Sequence, residues 1–278
     1  MKRRELIVDG VRTAIAEGGD ATASEAVVFV HGNPGPSDDW DELAPGVSPF
    51  ARVLTMDMPG YGRSERPVDF DFTVEGYGRH LGALLDQLAI DGAHLVLHDF
   101  GGGWGLRWAI DHPERLRSLT LINTGVLLDY EWHGFAKLWQ LPIIGELSYF
   151  VLRPSLVRRM IQRTNPAPLP EAFFDRVASY ADFAHHRAVL ALYRASADLG
   201  AEQDALATEL ARLDPPTLVL WGEGDAFVPV RFAERQREIF PRAAVHTLPR
   251  CGHWPFVDRP ELVAGHLVPF LREQVGAS

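Results

Sequence analysis

The order of apolar runs, turns and amphipathic stretches predicts an α/β protein. The expected architecture is a mostly parallel sheet flanked by helices on both faces, with a helical cap inserted late in the chain. Three observations carry this. Short apolar strands alternate with helices over residues 26–123 and again from residue 217 onward. One strand, at residues 95–97, runs through a single acid, Asp99, and three glycines straight into a helix. Between about residues 125 and 208 the alternation stops, and an aromatic helical pattern broken by Pro142, Pro154, Pro166, Pro168 and Pro170 replaces it.

Taken in order, residues 5–16 read as two short strands about a turn at Asp9-Gly10, and Gly18-Gly19-Asp20 is a second turn. Residues 26–30 form a buried strand ending in His31-Gly32-Asn33-Pro34-Gly35. A helix is expected to open at residues 40–43. The strand at 52–58 leads into Pro59-Gly60-Tyr61-Gly62-Arg63-Ser64, a loop by its Gly and Pro content. Val74, Tyr77, Leu81, Leu84, Leu85 and Leu88 recur at spacings of three and four, which marks an amphipathic helix over 73–90. The helix after Asp99 stops near Pro113, and 118–123 is the next strand. Past the insertion, the strand at 217–221 ends in Gly222-Glu223-Gly224-Asp225, and a helix spans 231–240. The strand at 243–248 leads to Arg250-Cys251-Gly252-His253-Trp254-Pro255. The final helix is expected to open on a capping box, Asp258 with Glu261, with Pro260 in its first turn. The core is thus residues 1–125 with 209–278, and the cap is residues 126–208.

Composition narrows the function. The net charge of −10 argues against nucleic acid or an anionic membrane as partner, because both require basic patches. The lone cysteine, Cys251, excludes an intrachain disulfide and suits a reducing compartment, so a cytoplasmic location is expected. No apolar run approaches the ~20 residues of a membrane span, and the run after Met1-Lys2-Arg3-Arg4 is too short for a signal peptide.

Residues 94–105 organise the rest. A strand turning sharply into a helix needs small residues where the two nearly touch, and Gly101 and Gly102 supply them. This is the layout of a nucleophile elbow, which holds one side chain exposed above a sheet. The plainer reading of Asp99 is a helix N-cap. Asp225 and His253 also follow predicted strands, and catalytic groups in open parallel sheets gather at the strands' carboxyl ends. Nucleophile, acid, histidine is the chain order of an α/β-hydrolase.

The chain resembles the α/β-hydrolase superfamily over nearly its whole length. Within it, the chain is similar to the branch with an aspartate nucleophile, which contains epoxide hydrolases and haloalkane dehalogenases. The residues that carry the resemblance are His31-Gly32-Asn33-Pro34, His98-Asp99-Phe100-Gly101-Gly102, Gly222-Glu223-Gly224-Asp225 and Gly252-His253. It implies Asp99 as nucleophile, His253 as the base that activates water, and Asp225 as the acid that orients His253. It also implies an oxyanion hole formed by the backbone N–H groups of Phe100 and Asn33.

Other candidates have plainer readings. His31 and His98 are expected to hydrogen-bond structurally, and Glu223 to sit at the rim. Neighbours one apart on a helix diverge, so His185-His186 suggests no metal site. Asp38, Asp39, Asp41 and Glu42 suit a helix start. Cys251 reads as a buried thiol. No metal or cofactor is called for.

The chemistry remains open between two substrates. An opening epoxide needs an acid for its alkoxide, and epoxide hydrolases resemble one another in using two cap tyrosines. Tyr193 stands where the second is expected, with Tyr149 a candidate first and Tyr130 its rival. A departing halide needs N–H donors, and dehalogenases of this branch resemble one another in a tryptophan directly after the nucleophile. Phe100 has no such N–H, while Asn33 and Leu97 are more dehalogenase-like. Trp40 and Trp254 complete the candidate substrate contacts. The first choice is a hydrolase that opens an apolar epoxide to a diol through an Asp99 ester, and the runner-up is a haloalkane dehalogenase. A binding protein that kept the fold without turnover is the reading of another class. The expected partners are a small apolar substrate and water, with the chain a monomer or homodimer.

Overall fold

In a computed structural model, which describes residues 1–151 and 154–276, eight strands form one sheet in the order β1-β2-β4-β3-β5-β6-β7-β8. Strands β1 (Lys2–Val8) and β2 (Val11–Gly18) make an antiparallel hairpin at one edge. Its turn residues Asp9 and Gly10 both have positive φ, which matches the strand twist of a two-residue hairpin. β2 pairs antiparallel with β4 (Arg52–Met56). From there β3 (Glu25–Val30), β5 (Gly92–His98), β6 (Leu116–Ile122), β7 (Thr217–Gly222) and β8 (Ala244–Leu248) run parallel.

Helices cover both faces. Alternation along β5 sends Leu95 and Leu97 to one face and Val96 to the other. The first face packs on α2 (Val74–Gln87) and α3 (Phe100–Asp111), with Tyr77 and Trp104 stacked at 4.1 Å between ring centres. Thr73 caps α2 by accepting the Gly76 N–H at 3.0 Å. The second face packs on α1 (Ala44–Val47) and, at the chain's end, on α11 (Pro255–Asp258) and α12 (Pro260–Gly276). Between β6 and β7 the chain inserts α4 (Gly134–Gln140), α5 (Ile144–Val151), α6 (Pro154–Thr164), α7 (Glu171–Tyr180), α8 (Phe183–Ala195) and α9 (Leu199–Leu210). The last of these runs past residue 208, the expected limit of the cap. α10 (Arg231–Arg235) lies between β7 and β8.

Several local expectations shift. Residues 37–40 form a 3₁₀ turn, with α1 following at Ala44, in place of a helix opening at Trp40. The strand expected to reach residue 58 ends at Met56, and the helix expected over 231–240 ends at Arg235 before a 3₁₀ turn. The capping box at α12 does not form. The Asp258 carboxylate instead accepts the Gly252 N–H at 2.7 Å and the Asn165 side-chain amide at 2.7 Å, and Glu261 pairs with Arg259. Trp40 is fully buried between Phe29 and Phe256 in the second core cluster, so its place among the substrate contacts is a correction. A ring with partners on both sides in a dry core has no face left for a ligand. No described helix is long and apolar enough to cross a membrane.

Candidate active site

Four loops at the carboxyl ends of β3, β5, β7 and β8 bring Asn33, Asp99, Asp225 and His253 together. Asp99 holds φ 50°, ψ −126°, a strained conformation for a residue with a Cβ, and its side chain makes no capping bond to α3. The N-cap reading therefore fails, and the carboxylate is turned to the cavity. The strain is held in place by contacts on both sides. The Thr124 hydroxyl donates to the Asp99 carbonyl at 2.6 Å. A Cβ at Gly101 would lie 2.5 Å from the Val30 and His31 carbonyls, so only glycine lets α3 start this close to β3.

The carboxylate sits between two donors. The Asn33 N–H donates to Oδ1 at 2.7 Å, and His253 Nε2 lies 3.3 Å from Oδ2. Phe100 opens α3, where the first N–H groups lack helical partners. Asp225 Oδ2 lies 2.8 Å from His253 Nδ1. Asp225 is itself fixed by the N–H groups of Phe227 and Val228 at 2.7 and 2.9 Å and by the Asn123 amide at 2.7 Å. Burial works against a charged His253, but the Asp225 carboxylate and then Asp99 outweigh it and raise its pKa to about 10. Burial alone would raise the Asp99 pKa, yet the contact with His253 and the Asn33 N–H bring it down to about 2. The resting pair is therefore carboxylate and imidazolium.

His98 is kept neutral by burial, with its pKa lowered to about 3, and its Nε2–H donates to the His253 carbonyl at 2.8 Å. His31 accepts the Met58 N–H at Nε2, 2.9 Å, and donates from Nδ1 to the Gly32 carbonyl at 2.8 Å. Both are structural. Glu223 is reached by the Thr247 hydroxyl away from the triad. His185 and His186 meet different carbonyls, those of Gly60 and Gly145, and do not converge. Asp38 and Asp39 form ion pairs with Arg3, Arg63 and Arg176. Cys251 is buried and free.

A cavity of about 370 Å³ lies over Asp99 and His253. Its walls are mostly apolar: Phe135 and Trp139 of α4, Val157, Met160 and Ile161 of α6, Val177 of α7, Phe227 and Trp254. Tyr193 of α8 lines it too, with its hydroxyl 3.5 Å from the Asn33 amide nitrogen. Burial, and then the Asp99 charge, push the Tyr193 pKa well above 10, so this phenol stays protonated. Tyr130 lies under a smaller adjoining cavity, but its hydroxyl is spent on the Phe227 carbonyl at 3.1 Å. Tyr149 packs on Phe150, Phe183 and His186 and lines neither cavity at Asp99. The structure thus brings Tyr193 and Trp254 to the site and leaves Tyr149 and Trp40 out.

Four site groups were not singled out from sequence: Asn123, His133, Trp139 and Phe227. Asn123 had a signal, since it ends a strand of a parallel sheet. The cap and loop residues had none, because aromatics in a helical insertion look alike whether they face a cavity or a neighbour.

The sequence matches the alpha/beta hydrolase fold family over residues 25–260. It is 29% identical to a 2-hydroxymuconate semialdehyde hydrolase of Pseudomonas sp. strain CF600 over 99% of this chain and 95% of that protein. Among solved structures, the haloalkane dehalogenase DbeA from Bradyrhizobium elkani USDA94 superposes with TM-score 0.86 at 26% identity, covering 100% of this chain and 99% of that one. The epoxide hydrolase CorEH superposes with TM-score 0.84 at 17% identity, covering 98% and 99%, a likeness of fold.

Proposed function

The chain belongs to the alpha/beta hydrolase fold family, and from that premise we propose that it hydrolyses its substrate through an ester on Asp99. The observation that carries this is the elbow itself: a carboxylate held between the Asn33 N–H and His253 under an apolar cavity lined, among the described residues, by no serine or cysteine. The name of the semialdehyde hydrolase relative raises carbon–carbon bond hydrolysis, but the elbow presents a carboxylate, which suits attack on a saturated carbon.

The favoured substrate is a small apolar epoxide. Asp99 attacks one ring carbon, the C–O bond breaks, and the alkoxide takes the Tyr193 proton. The His253 proton replaces it through solvent. Alkylation also removes the Asp99 charge that helped hold that proton, so His253 becomes the neutral base the next step needs. His253 then takes a proton from water, and the oxygen adds to the Asp99 carboxyl carbon. The acyl C–O bond breaks as the departing oxygen takes the proton back from His253, the diol leaves, and the Asp99 carboxylic acid gives its remaining proton to His253, which restores the resting pair. The Asn33 N–H, and by resemblance that of Phe100, stabilise the oxyanion, an effect worth roughly 10²–10³ in rate.

A haloalkane is the second reading. Asn33 lines the cavity, and the Trp139 indole N–H lies buried with no hydrogen-bond partner among the described residues. Both suit a departing halide, and Phe100 adds no side-chain N–H. The deciding experiment is the intact mass of His253→Gln after separate incubation with an aryl epoxide and a bromoalkane. A gain of the whole epoxide mass supports epoxide opening. A gain of only the alkyl fragment, with free bromide, transfers the assignment to dehalogenation. No adduct from either removes the covalent reading.

A further inference from the structure

The cavity's apolar wall from α6 ends in a charge. Val157, Met160, Ile161 and Thr164 follow one another at helical spacing along the cavity, and Arg163 lines it beside Thr164 at the solvent end. Arg163 is exposed, and among the described residues it has no ion pair, hydrogen bond or ring partner. Other arginines of these helices are paired, Arg158 with Glu171, Arg176 with Asp39 and Arg194 with Glu146, and of those without an ion pair among the described residues, Arg159, Arg163 and Arg187, Arg163 is the one that lines the cavity. α6 carries Arg158, Arg159 and Arg163 and no acid, on a chain whose net charge is −10. α6 thus brings to the cavity wall a cation that no acid of its own helix answers. Asp99 and His253 line the same cavity at lower exposure, with side chains 16% and 3% exposed.

We propose that Arg163 selects amphipathic substrates that carry a carboxylate at the end remote from the reacting carbon. The apolar stem lies along Val157, Met160 and Ile161, and the anion meets the guanidinium at the rim, where a planar fork suits a carboxylate. The proposal rests on the reading above only for which end of the substrate reacts.

The test uses ligands that cannot react. Octanoate and 1-octanol are titrated calorimetrically into Asp99→Ala protein, with and without Arg163→Gln. Octanoate is expected to bind roughly two- to fivefold more weakly once Arg163 is replaced, the scale of an exposed ion pair, while 1-octanol is unchanged. Arg163→Lys restores much of the loss, and 0.5 M salt erases the difference. Three results overturn the proposal: octanoate binding indifferent to Arg163, equal losses for both ligands (the stem then acts by packing alone), or no binding of either. Since octanoate carries no electrophilic carbon, failure here leaves the Asp99 ester standing, and failure of the ester, read by mass in His253→Gln, leaves this binding result intact.

Discussion

The floor and the roof of the cavity are built on different terms. On the floor, each oxygen of Asp225 accepts a hydrogen bond, Asp99 is held between His253 and Asn33, and the His253 carbonyl is tied to His98. On the roof, among the described residues, the Trp139 N–H has no hydrogen-bond partner and Arg163 has no ion pair, and the α6 wall is apolar at Val157, Met160 and Ile161. Groups that must act in a fixed geometry are satisfied by the core, and groups that meet a variable ligand are left to find partners in it. The contrast assigns chemistry to the floor and selectivity to the roof.

That division breaks first at Asp99. Replacing it with Asn is expected to lower turnover at least roughly 10⁴-fold while the fold and ligand binding persist. Retained turnover at more than about 1% would move the nucleophile elsewhere.

Tyr193 tests the roof's one chemical contribution. With Phe there, epoxide opening is expected to fall about 10²-fold, the lower range for a lost general acid. Bromoalkane turnover, if present, would fall much less. Equal losses on both substrates would make Tyr193 a packing residue, and its four aromatic neighbours, Phe100, Trp132, His133 and Trp139, make that a serious alternative.

Trp40 sharpens the boundary from below. Trp40→Ala should cost about 3–5 kcal/mol of stability as a buried aromatic. The KM of the remaining folded enzyme should stay within about twofold, and a changed substrate preference would return Trp40 to the site.

The sequence carried the floor well, because each of its residues follows a strand of a parallel sheet and topology alone puts such positions at one edge. Asp99, Asp225 and His253 were read in this way, and Asn33 only through the resemblance. Asp258 was not: S/T/D-x-x-E before a helix has two uses for the same acid, and here the Gly252 N–H and Asn165 capture the carboxylate before α12 does. The roof was legible only as helical and aromatic. Tyr149 and Tyr193 look equivalent in a one-dimensional pattern, and which of them turns inward depends on how α5 and α8 cross, a property of packing between helices. Trp40 misled for the same reason, since a tryptophan near a strand end fits core and pocket equally.

A smaller effect probes the floor's electrostatics. The His253 pKa is raised from 6.5 to about 10 in the folded chain, so its charged contacts add stability in full below pH 6.5, and that contribution drains away as pH climbs toward 10. The Tm gap between the wild type and His253→Gln should therefore narrow from pH 6 to pH 10. For Asp99, lowered from 3.8 to about 2, the contribution is present above pH 3.8 and is lost toward pH 2. A gap that widens with rising pH would contradict the charged pair. Smallest of all, Tyr149→Phe should change kcat/KM by less than about twofold, as expected of a side chain that does not touch the substrate.

The most direct measurement of the central claim is a single turnover in H₂¹⁸O, with enzyme in excess over an epoxide substrate. If Asp99 forms the ester, the first diol carries no label, and the ¹⁸O appears in the Asp99 carboxylate of the peptide that spans the elbow. Label in that first diol with an unlabelled Asp99 would mean that water attacks the substrate directly, and the account of Asp99 as nucleophile would fall.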